Sequence, residues 1–241
     1  MKTNAIQTSI FKKDMDLADF IASHTLDYAF KNKIQLEGTV IAITSKIVSI
    51  AENRLIPKNS ISKFDLIKKE ADIFLAKAAY DVCLTIKCGI VIPSAGIDES
   101  NSESGDYILF PINPYESAKK LWEALIQKLA VKNLGIIITD SHTHPLRRGV
   151  TGIALSHWGF KATKNLIGEK DLFGRELRYT AVNAVDALAV TAVYTMGEVN
   201  ECKPIAIIES PAVDFCESID PKEIQIEPET DLYYPLLKNY I

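Results

Sequence analysis

The sequence predicts an α+β protein, and three observations lead to this prediction. Short apolar, β-branched runs occur among longer segments with helical spacing, so both kinds of element are expected. They do not follow the strict strand–helix alternation of a doubly wound parallel sheet. The chain has 241 residues, 47% hydrophobic and 24% charged, which is the balance of a globular protein with its own core. Because no repeat or low-complexity linker appears, we expect one unit over residues 1–241, with no subdomain boundary that the sequence resolves.

The first half of the chain is predicted to contain a strand, a helix and a hairpin. Residues 39–43 read TVIAI, which is typical of a buried strand. Residues 60–79 carry apolar side chains at helical spacing and are predicted to form a helix. Residues 82–92 are predicted to form a hairpin that turns near Lys87-Cys88-Gly89. After a polar loop, a short strand is expected at residues 107–110.

The middle of the chain is predicted to contain a well-marked helix followed by two strands. The stretch Asn113-Pro114-Tyr115-Glu116 has a capping asparagine, a proline suited to the first turn and a glutamate three residues after the cap. Residues 135–139 are predicted to form a buried strand with Asp140 at its C-terminal end. A further strand is expected at residues 152–156.

Residues 179–196 are the most apolar long segment and are predicted to form a helix in the middle of a domain. The helix is expected to stop at Gly197. Asn183 and Asp186 interrupt the apolar run, which is also too short to span a bilayer. The N-terminus lacks the apolar core of a signal peptide. We therefore expect a cytoplasmic protein that does not contact a membrane.

Charge and cysteine content exclude further classes of protein. The formal net charge is −4, with no dominant basic face, which gives no reason to expect a nucleic-acid partner. The four cysteines include no Cys-x-x-Cys pair and are expected to be free thiols in a reducing compartment.

The stretch Asp140-Ser141-His142-Thr143-His144 raises the possibility of a zinc hydrolase. An apolar strand that ends in Asp-x-His-x-His presents imidazoles and a carboxylate to zinc in many hydrolases. Such enzymes need further ligands from later strands, and His157 is the one later histidine here. A zinc hydrolase that uses His142 and His144 is therefore kept as an alternative. The competing interpretation is that both are loop residues that line a pocket.

Oxygen donors form a second candidate site. Asp98 lies in a polar loop, Asp140 at a predicted strand end and Glu198 just after a predicted helix stop. Side chains at such positions can converge on a site. Together with the Ser141 hydroxyl and the Asn101 amide, these carboxylates favour a hard ion such as Mg²⁺ or Mn²⁺ over zinc.

Several short motifs follow one another along the chain in a fixed order. They are TSKIVS at residues 44–49, SAGIDESN at 94–101, IITDS at 137–141, RGV at 148–150, DLFGREL at 171–177 and MGE at 196–198. In this order and spacing the chain resembles the γ-glutamyl ligase family, which adds L-glutamate to the precursor of the deazaflavin coenzyme F-420. The resemblance covers residues 10–208, and the motifs are specific for this family when they occur together in this order.

The resemblance implies a fold, two substrates and two metal sites. The family has a two-part α+β unit that forms an intertwined homodimer, and it uses GTP with two divalent ions, Mg²⁺ or Mn²⁺. Asp98 and Asp140 match its ligands for one metal, and Ser141 with Glu198 match its ligands for the second. The N-terminal residues 8–11 fall at a segment that contacts the nucleotide. The further positions that match nucleotide contacts are Ser45, Lys46, Asn101, Met196, Gly197 and Glu198.

The implied chemistry agrees with the residue types. A carboxylate does not condense with an amine in water until it is activated, here as an acyl phosphate. Phosphoryl transfer between anions needs cationic groups that neutralise the transferring group. Arg148 and Arg175 are the expected catalytic anion clamps, with Arg147 and Lys170 as further candidates. The expected partners are L-glutamate, a small-molecule acid acceptor and a second copy of the chain.

Two departures from the family pattern leave alternatives open. Ile50 stands where the family has a lysine near the nucleotide. This change leaves an alternative open, in which the chain is a non-catalytic descendant that binds a nucleotide or a pterin. After Asp140-Ser141 the family continues with Gly-Arg one residue later, whereas this chain has Thr143-His144. We expect this stretch to concern the acceptor, with a folate as the alternative to the deazaflavin. The choice of GTP or ATP, the number of glutamates added and the role of His142 remain open.

Overall fold

Six α-helices and twelve β-strands form the part of the chain that the computed structural model describes, residues 1–240. Ile241, the last residue of the predicted unit, lies outside the described residues. The strands are β1 (Lys2–Ile6), β2 (Thr39–Thr44), β3 (Leu55–Ile56), β4 (Ile73–Lys77), β5 (Cys83–Lys87), β6 (Ile90–Pro93), β7 (Tyr107–Ile108), β8 (Leu134–Thr143), β9 (Val150–Trp158), β10 (Thr163–Asn165), β11 (Ala181–Asn183) and β12 (Ile205–Glu209). The helices are α1 (Leu17–Asn32), α2 (Ser45–Ala51), α3 (Lys63–Glu70), α4 (Pro114–Leu129), α5 (Ala184–Met196) and α6 (Tyr234–Leu237). This mixture confirms the predicted α+β class.

A five-stranded mixed sheet lies at the centre, in the order β1-β12-β2-β8-β9. β2 and β8 are parallel, and the other neighbouring pairs of this sheet are antiparallel. Both faces of β2 are buried, because Val40 and Ala42 enter one hydrophobic cluster while Ile41 and Ile43 enter the other. A strand covered on both faces is expected to read as a continuous apolar run, as this one does.

Helices cover the two faces of the central sheet. α1 and α4 pack on one face and α5 packs on the other. The start of α4 is as predicted: the Asn113 side chain accepts a hydrogen bond of 3.2 Å from the Glu116 N–H, and Pro114 is the first helical residue. The predicted strands at residues 39–43 and 152–156 are confirmed within β2 and β9.

A second, smaller sheet holds the loop that carries Asp98. β4, β5 and β6 form this antiparallel sheet, and α3 packs beside it around a separate hydrophobic cluster. The predicted hairpin is confirmed and turns at Cys88 and Gly89, whose φ angles are 54° and 75°. β6 runs directly into residues 94–98, and Asp98 exchanges two backbone hydrogen bonds of 2.9 Å with Ile108 of β7. The strand predicted at 107–110 is confirmed over its first two residues, which form β7.

The helix predicted over residues 60–79 is only half correct. α3 ends at Glu70, and the residues from Ile73 onward form β4 instead. The Asp72 carboxylate accepts a hydrogen bond of 2.7 Å from the Cys88 N–H, which ties the start of β4 to the hairpin turn. The helical period is overridden because β4 pairs with the following strand, β5, and the spacing of apolar residues alone does not show this pairing.

Asp140 does not end its strand, contrary to the prediction. β8 continues to Thr143 because β9 stays paired with it beyond a register shift that follows Ile138. The parallel partner β2 ends earlier, where Thr44 pairs with Thr139. Asp140 is therefore the first residue of β8 beyond the end of its parallel neighbour.

The predicted apolar helix over residues 179–196 starts later and is more exposed than expected. Its first residues form β11, and α5 starts after Asn183, whose side chain accepts a hydrogen bond of 3.1 Å from the Asp186 N–H. One side of the helix faces solvent, since Tyr194 is 89% exposed. The predicted stop at Gly197 is confirmed. Among the helices in residues 1–240, none combines the length and apolar character needed to cross a membrane.

Candidate active site

The candidate site lies where the two parallel strands of the central sheet stop pairing. α2 begins at Ser45 directly after β2, and the next strand carries Asp140 and Ser141 beyond the last β2 partner, Thr139. Ligands of open α/β sheets commonly bind outside the carboxyl ends of parallel strands. The geometry of β2 and β8 therefore predicts a ligand site at this edge of the sheet.

A cavity of about 570 Å³ opens at this edge. Its size lies within the range of small-molecule sites, roughly 300–1,000 Å³. It is bordered by α2 on one side and by the end of α5 on another, with the N-terminal segment between them. The segments that contribute most of its lining are residues 8–12, 101–103, 139–141 and 196–204.

Asp140 is the most perturbed carboxyl group of the cavity. Burial raises its pKa to about 7, the N–H of Ser141 and the Lys46 ammonium oppose that effect, and Asp98 and Glu198 add to it. Within residues 1–240 its carboxylate makes no salt bridge. A half-buried carboxyl group without a salt-bridge partner is a position where a cation would lower the free energy.

Asp98 has a cation partner, in contrast to Asp140. The Lys46 ammonium forms an ion pair with Asp98, and the Ser100 N–H donates a hydrogen bond of 2.7 Å to the same carboxylate. Burial raises the pKa of Asp98, but Lys46 and Ser100 outweigh burial and the net shift is downward. Asp98 does not itself line the cavity, and Lys46 lies between it and the cavity.

Glu198 reaches the cavity from the other side. It follows Gly197, which ends α5 with a φ of 87°. Burial raises the pKa of the Glu198 carboxyl, against the opposing effects of Lys46 and of a polar contact with Ser141. Asn101 links this segment to the Asp98 loop, because its side-chain amide donates a hydrogen bond of 3.1 Å to the Val199 carbonyl.

The donor atoms of these side chains are of the kind that binds hard divalent ions, but the side chains are not arranged as a complete coordination shell. Carboxylates and a hydroxyl are the donors that Mg²⁺ and Mn²⁺ prefer, and the half-buried Asp140 has no salt-bridge partner among the described residues. In the described part of the chain, no group of three or more His, Cys, Asp or Glu side chains is close enough to hold a metal ion as it stands. Asp98 is paired with Lys46 instead, and Glu198 contacts Ser141.

The structure brings most of the predicted residues together at the cavity. Those that line it are Lys46, Asn101, Asp140, Ser141, Met196, Gly197 and Glu198. Asp98 is joined to this set through Lys46. Ser45 is adjacent in the chain but is buried and outside the lining. Ile50 is half-buried and forms part of the wall, as an apolar side chain.

The two arginines predicted as anion clamps do not reach the cavity. Arg148 is exposed in the turn between β8 and β9. Arg175 is held in its own turn, where it pairs with Asp171 at 2.9 Å and lies over the Phe173 ring. Neither side chain lines the cavity of this copy of the chain. Lys12, which no motif singled out, does line it, and so does Lys203 at the end of the segment that follows α5.

The histidines do not form a zinc site. The rings of His142 and His144 make an edge-to-face contact with centroids 4.3 Å apart, and His144 Nε2 lies 2.8 Å from the Thr151 hydroxyl. His157 is buried in β9, and no third ligand accompanies the pair in residues 1–240. Because zinc needs at least three protein ligands, the zinc-hydrolase hypothesis is dropped.

Comparison with known proteins gives a consistent result over most of the chain. A family model described as F420-0:Gamma-glutamyl ligase matches residues 5–210. The coenzyme F420:L-glutamate ligase of Methanocaldococcus jannaschii is 34% identical over 229 residues, which cover 87% of this chain and 88% of that protein. The ligase of the same name from Methanococcus maripaludis is 34% identical over 92% of this chain and 91% of its own length. The one from Archaeoglobus fulgidus is 33% identical over 83% of each chain.

Proposed function

The chain belongs to the F420-0:gamma-glutamyl ligase family, and from this premise we propose that it joins L-glutamate to a small-molecule acid through an amide bond, with GTP as the energy source. It is a ligase, as its relatives are. The observation that carries the proposal is the cavity at the end of β2 and β8, where Lys46, Asp140 and Glu198 meet. A large cavity with both cationic and anionic side chains suits a nucleotide with its metal ions.

The nucleotide is proposed to lie in this cavity with its phosphates towards α2. Lys46, Lys12 and Lys203 are the cations that line it and can neutralise phosphate oxygens. The apolar walls formed by Ile47 and Val193 suit the flat base or the sugar. Activation of the acceptor carboxylate as an acyl phosphate then allows the glutamate amine to attack the acyl carbon and release phosphate.

The proposed metal ligands are Asp98 and Asp140 for one ion and Ser141 and Glu198 for the second. When bound, Mg²⁺ or Mn²⁺ would neutralise the charge of the phosphate groups. Asp140 lines the cavity from a fixed backbone, because β8 continues beyond it and pairs with β9 on both sides of this residue. Ser141 and Glu198 come from different elements and are in contact already.

The proposal is tested by coupling nucleotide consumption to amide formation. Purified protein with GTP, Mn²⁺, L-glutamate and an acid acceptor is expected to release GDP, and the acceptor should gain the mass of one or more glutamyl units. GDP release should stop when either glutamate or the acceptor is left out. Binding of GTP without any product would instead support the non-catalytic alternative, which the apolar Ile50 in the cavity wall keeps open. Repeating the assay with ATP identifies the nucleotide.

The acceptor is proposed to be a pterin-like acid such as a folate rather than the unglutamylated deazaflavin. Thr143 and His144 stand where the family has a glycine and an arginine, so a permanent cation is replaced by a titratable imidazole. An acceptor with a phosphodiester loses a bidentate anion donor by this change. With nucleotide, Mn²⁺ and glutamate saturating, kcat/KM should be higher for a tetrahydrofolate than for the deazaflavin. A preference for the deazaflavin by about tenfold or more, roughly 1.4 kcal/mol, would contradict this.

A homodimer is also proposed, and the exposed apolar side chains support it. Leu172, Phe173 and Tyr179 stand out into solvent between β10 and β11, and Leu146 is exposed in the turn between β8 and β9. Several exposed apolar side chains of this size are a common mark of an interface when they form a patch. Light scattering at micromolar concentration should give about twice the chain mass of 26.7 kDa. A mass equal to one chain would contradict the dimer, and Phe173→Asp should shift the protein towards that mass.

A further inference from the structure

One ammonium group faces all the carboxylates of the proposed metal site. Lys46 forms its ion pair with Asp98 and acts electrostatically on Asp140 and on Glu198 as well. The side chains of Lys46 and Asp98 are 28% and 30% exposed, so water screens this pair only in part. The lysine therefore already supplies part of the positive charge that a metal ion would bring.

Lys46 and a divalent ion compete for the same carboxylate. An ammonium on the Asp98 oxygen and a metal ion bound to that oxygen would repel each other at contact distance in a partly shielded site. Metal binding at Asp98 therefore requires the lysine to move away. As long as it stays, the three carboxylates do not form a ready-made ligand group in residues 1–240.

The lysine has a second position within reach. Lys46 sits in the first turn of α2 and lines the cavity, whereas Asp98 lies behind it and does not. Its four-carbon stem is flexible and its ammonium is a point charge, so it can turn from Asp98 towards an anion in the cavity. One turn further along α2, Ile50 offers no charge, which leaves Lys46 as the one cation that α2 presents to the cavity.

We infer that Lys46 is an exchangeable cation that occupies Asp98 in the empty enzyme and moves to the nucleotide phosphates when they arrive, so that metal binding depends on bound nucleotide. This inference rests on the proposed function, because it assumes that the cavity takes a nucleotide and that Asp98 takes a metal ion. Nucleotide binding would free the Asp98 carboxylate at the moment when phosphate oxygens become available as additional ligands. The enzyme would thereby discriminate against metal ions without nucleotide.

The test is the affinity for Mn²⁺ in the presence and absence of GDP, measured by titration calorimetry or by the electron paramagnetic resonance signal of free Mn²⁺. For the wild type, GDP should tighten Mn²⁺ binding by about tenfold or more, within the usual range of coupling between two ligands. Because coupling is reciprocal, Mn²⁺ should tighten GDP binding by the same factor.

Lys46→Met removes the charge and keeps the length of the side chain. Without nucleotide this variant should bind Mn²⁺ about fivefold more tightly than the wild type, and GDP should then tighten it by less than about threefold. Damage to the fold would weaken metal binding, so a gain in affinity cannot come from a structural defect. Lys46→Arg, which keeps a cation on Asp98, should retain the dependence on nucleotide.

Lys63→Met is the matched control, since the Lys63 ammonium also pairs with a carboxylate, that of Glu99 next to Asp98 in the chain, but does not line the cavity. It should leave Mn²⁺ affinity without nucleotide unchanged, which separates release of Asp98 from a general change of charge. The inference is overturned if Lys46→Met and the wild type bind Mn²⁺ equally well without nucleotide, or if GDP tightens Mn²⁺ binding as strongly in Lys46→Met as in the wild type. In either case, Mn²⁺ binding by the wild type with GDP would still support the proposed metal site. No Mn²⁺ binding by the wild type under either condition would overturn both.

Discussion

Replacing Asp140 with asparagine should lower glutamate-dependent GDP release by at least about a hundredfold, the size expected when a key electrostatic group is lost from an active site. The Asp140 carboxyl group is half-buried, lines the cavity and forms no salt bridge among the described residues, and its pKa is the most strongly raised in the site. Asparagine keeps the shape of the side chain but removes the charge that would hold a divalent ion. The rate is measured with saturating GTP, Mn²⁺ and acceptor.

The same substitution should stabilise the metal-free protein at high pH. Burial raises the pKa of Asp140 to about 7, whereas an unfolded aspartate titrates near about 3.9. Between these two values the unfolded chain has lost its proton while the folded protein keeps it, so the stability of the wild type falls as pH rises through this window. At pH 8 without metal, Asp140→Asn should therefore unfold at higher urea concentration than the wild type. The difference should shrink towards pH 4.

Loss of turnover together with higher stability is the signature of a functional charge, since a folding defect would lower both. Asp106→Asn is the control, because Asp106 lies in the same loop region as Asp98 but outside the cavity lining. It should retain turnover within about threefold, as substitutions away from a site usually do. Turnover of Asp140→Asn within tenfold of the wild type would remove Asp140 from the proposed metal site.

Substitution of Gly152 with alanine should lower the free energy of unfolding by about 2–3 kcal/mol, the upper part of the range for overpacking a core. Gly152 lies on β9 beneath α5, where an added Cβ would lie 2.4 Å from the Ala189 carbonyl oxygen and 2.8 Å from the Val193 Cβ. The nearest obstacle is helix backbone, which cannot rotate aside as a side chain does. Either α5 or β9 must shift, and urea unfolding at neutral pH measures the cost.

The shift should also reduce activity, because α5 ends at Met196 and leads directly to Gly197 and Glu198. Val150→Ala, two residues away on the same strand and largely exposed, serves as the control and should change stability by only about 0.5 kcal/mol. An unfolding midpoint for Gly152→Ala equal to that of the wild type would show that α5 does not pack on β9 as closely as described.

Features that depend on residues close together in the chain could be predicted from the sequence. The start of α4 is one, since Asn113 and Glu116 form their hydrogen bond across a single turn. The hairpin of β5 and β6 is another, because the turn depends on the backbone conformation of Cys88 and Gly89 alone. β2 and β8 also follow from local composition, since strands buried on both faces read as apolar runs.

Features that depend on which segments pair with each other could not be predicted in this way. The helical spacing of residues 60–79 fits a helix throughout, but pairing with β5 converts its second half into β4. The extension of β8 past Asp140 comes from its pairing with β9. The predicted strands omit β12, although it has a short apolar run like that of β2. β1 has no such run and forms a strand by pairing with β12 across nearly the whole chain.

The candidate site also has some features that the sequence predicts and others that depend on the tertiary structure. By itself the sequence determined the family through the order of its motifs, and with it the carboxylates Asp98, Asp140 and Glu198 as candidates. Only the tertiary structure decided that Lys46 pairs with Asp98, that Glu198 contacts Ser141, and that Arg148 and Arg175 stay outside the cavity. The physical reason is that a motif constrains the backbone of a few neighbouring residues, whereas an ion pair or a cavity depends on packing that brings separate segments within a few ångströms.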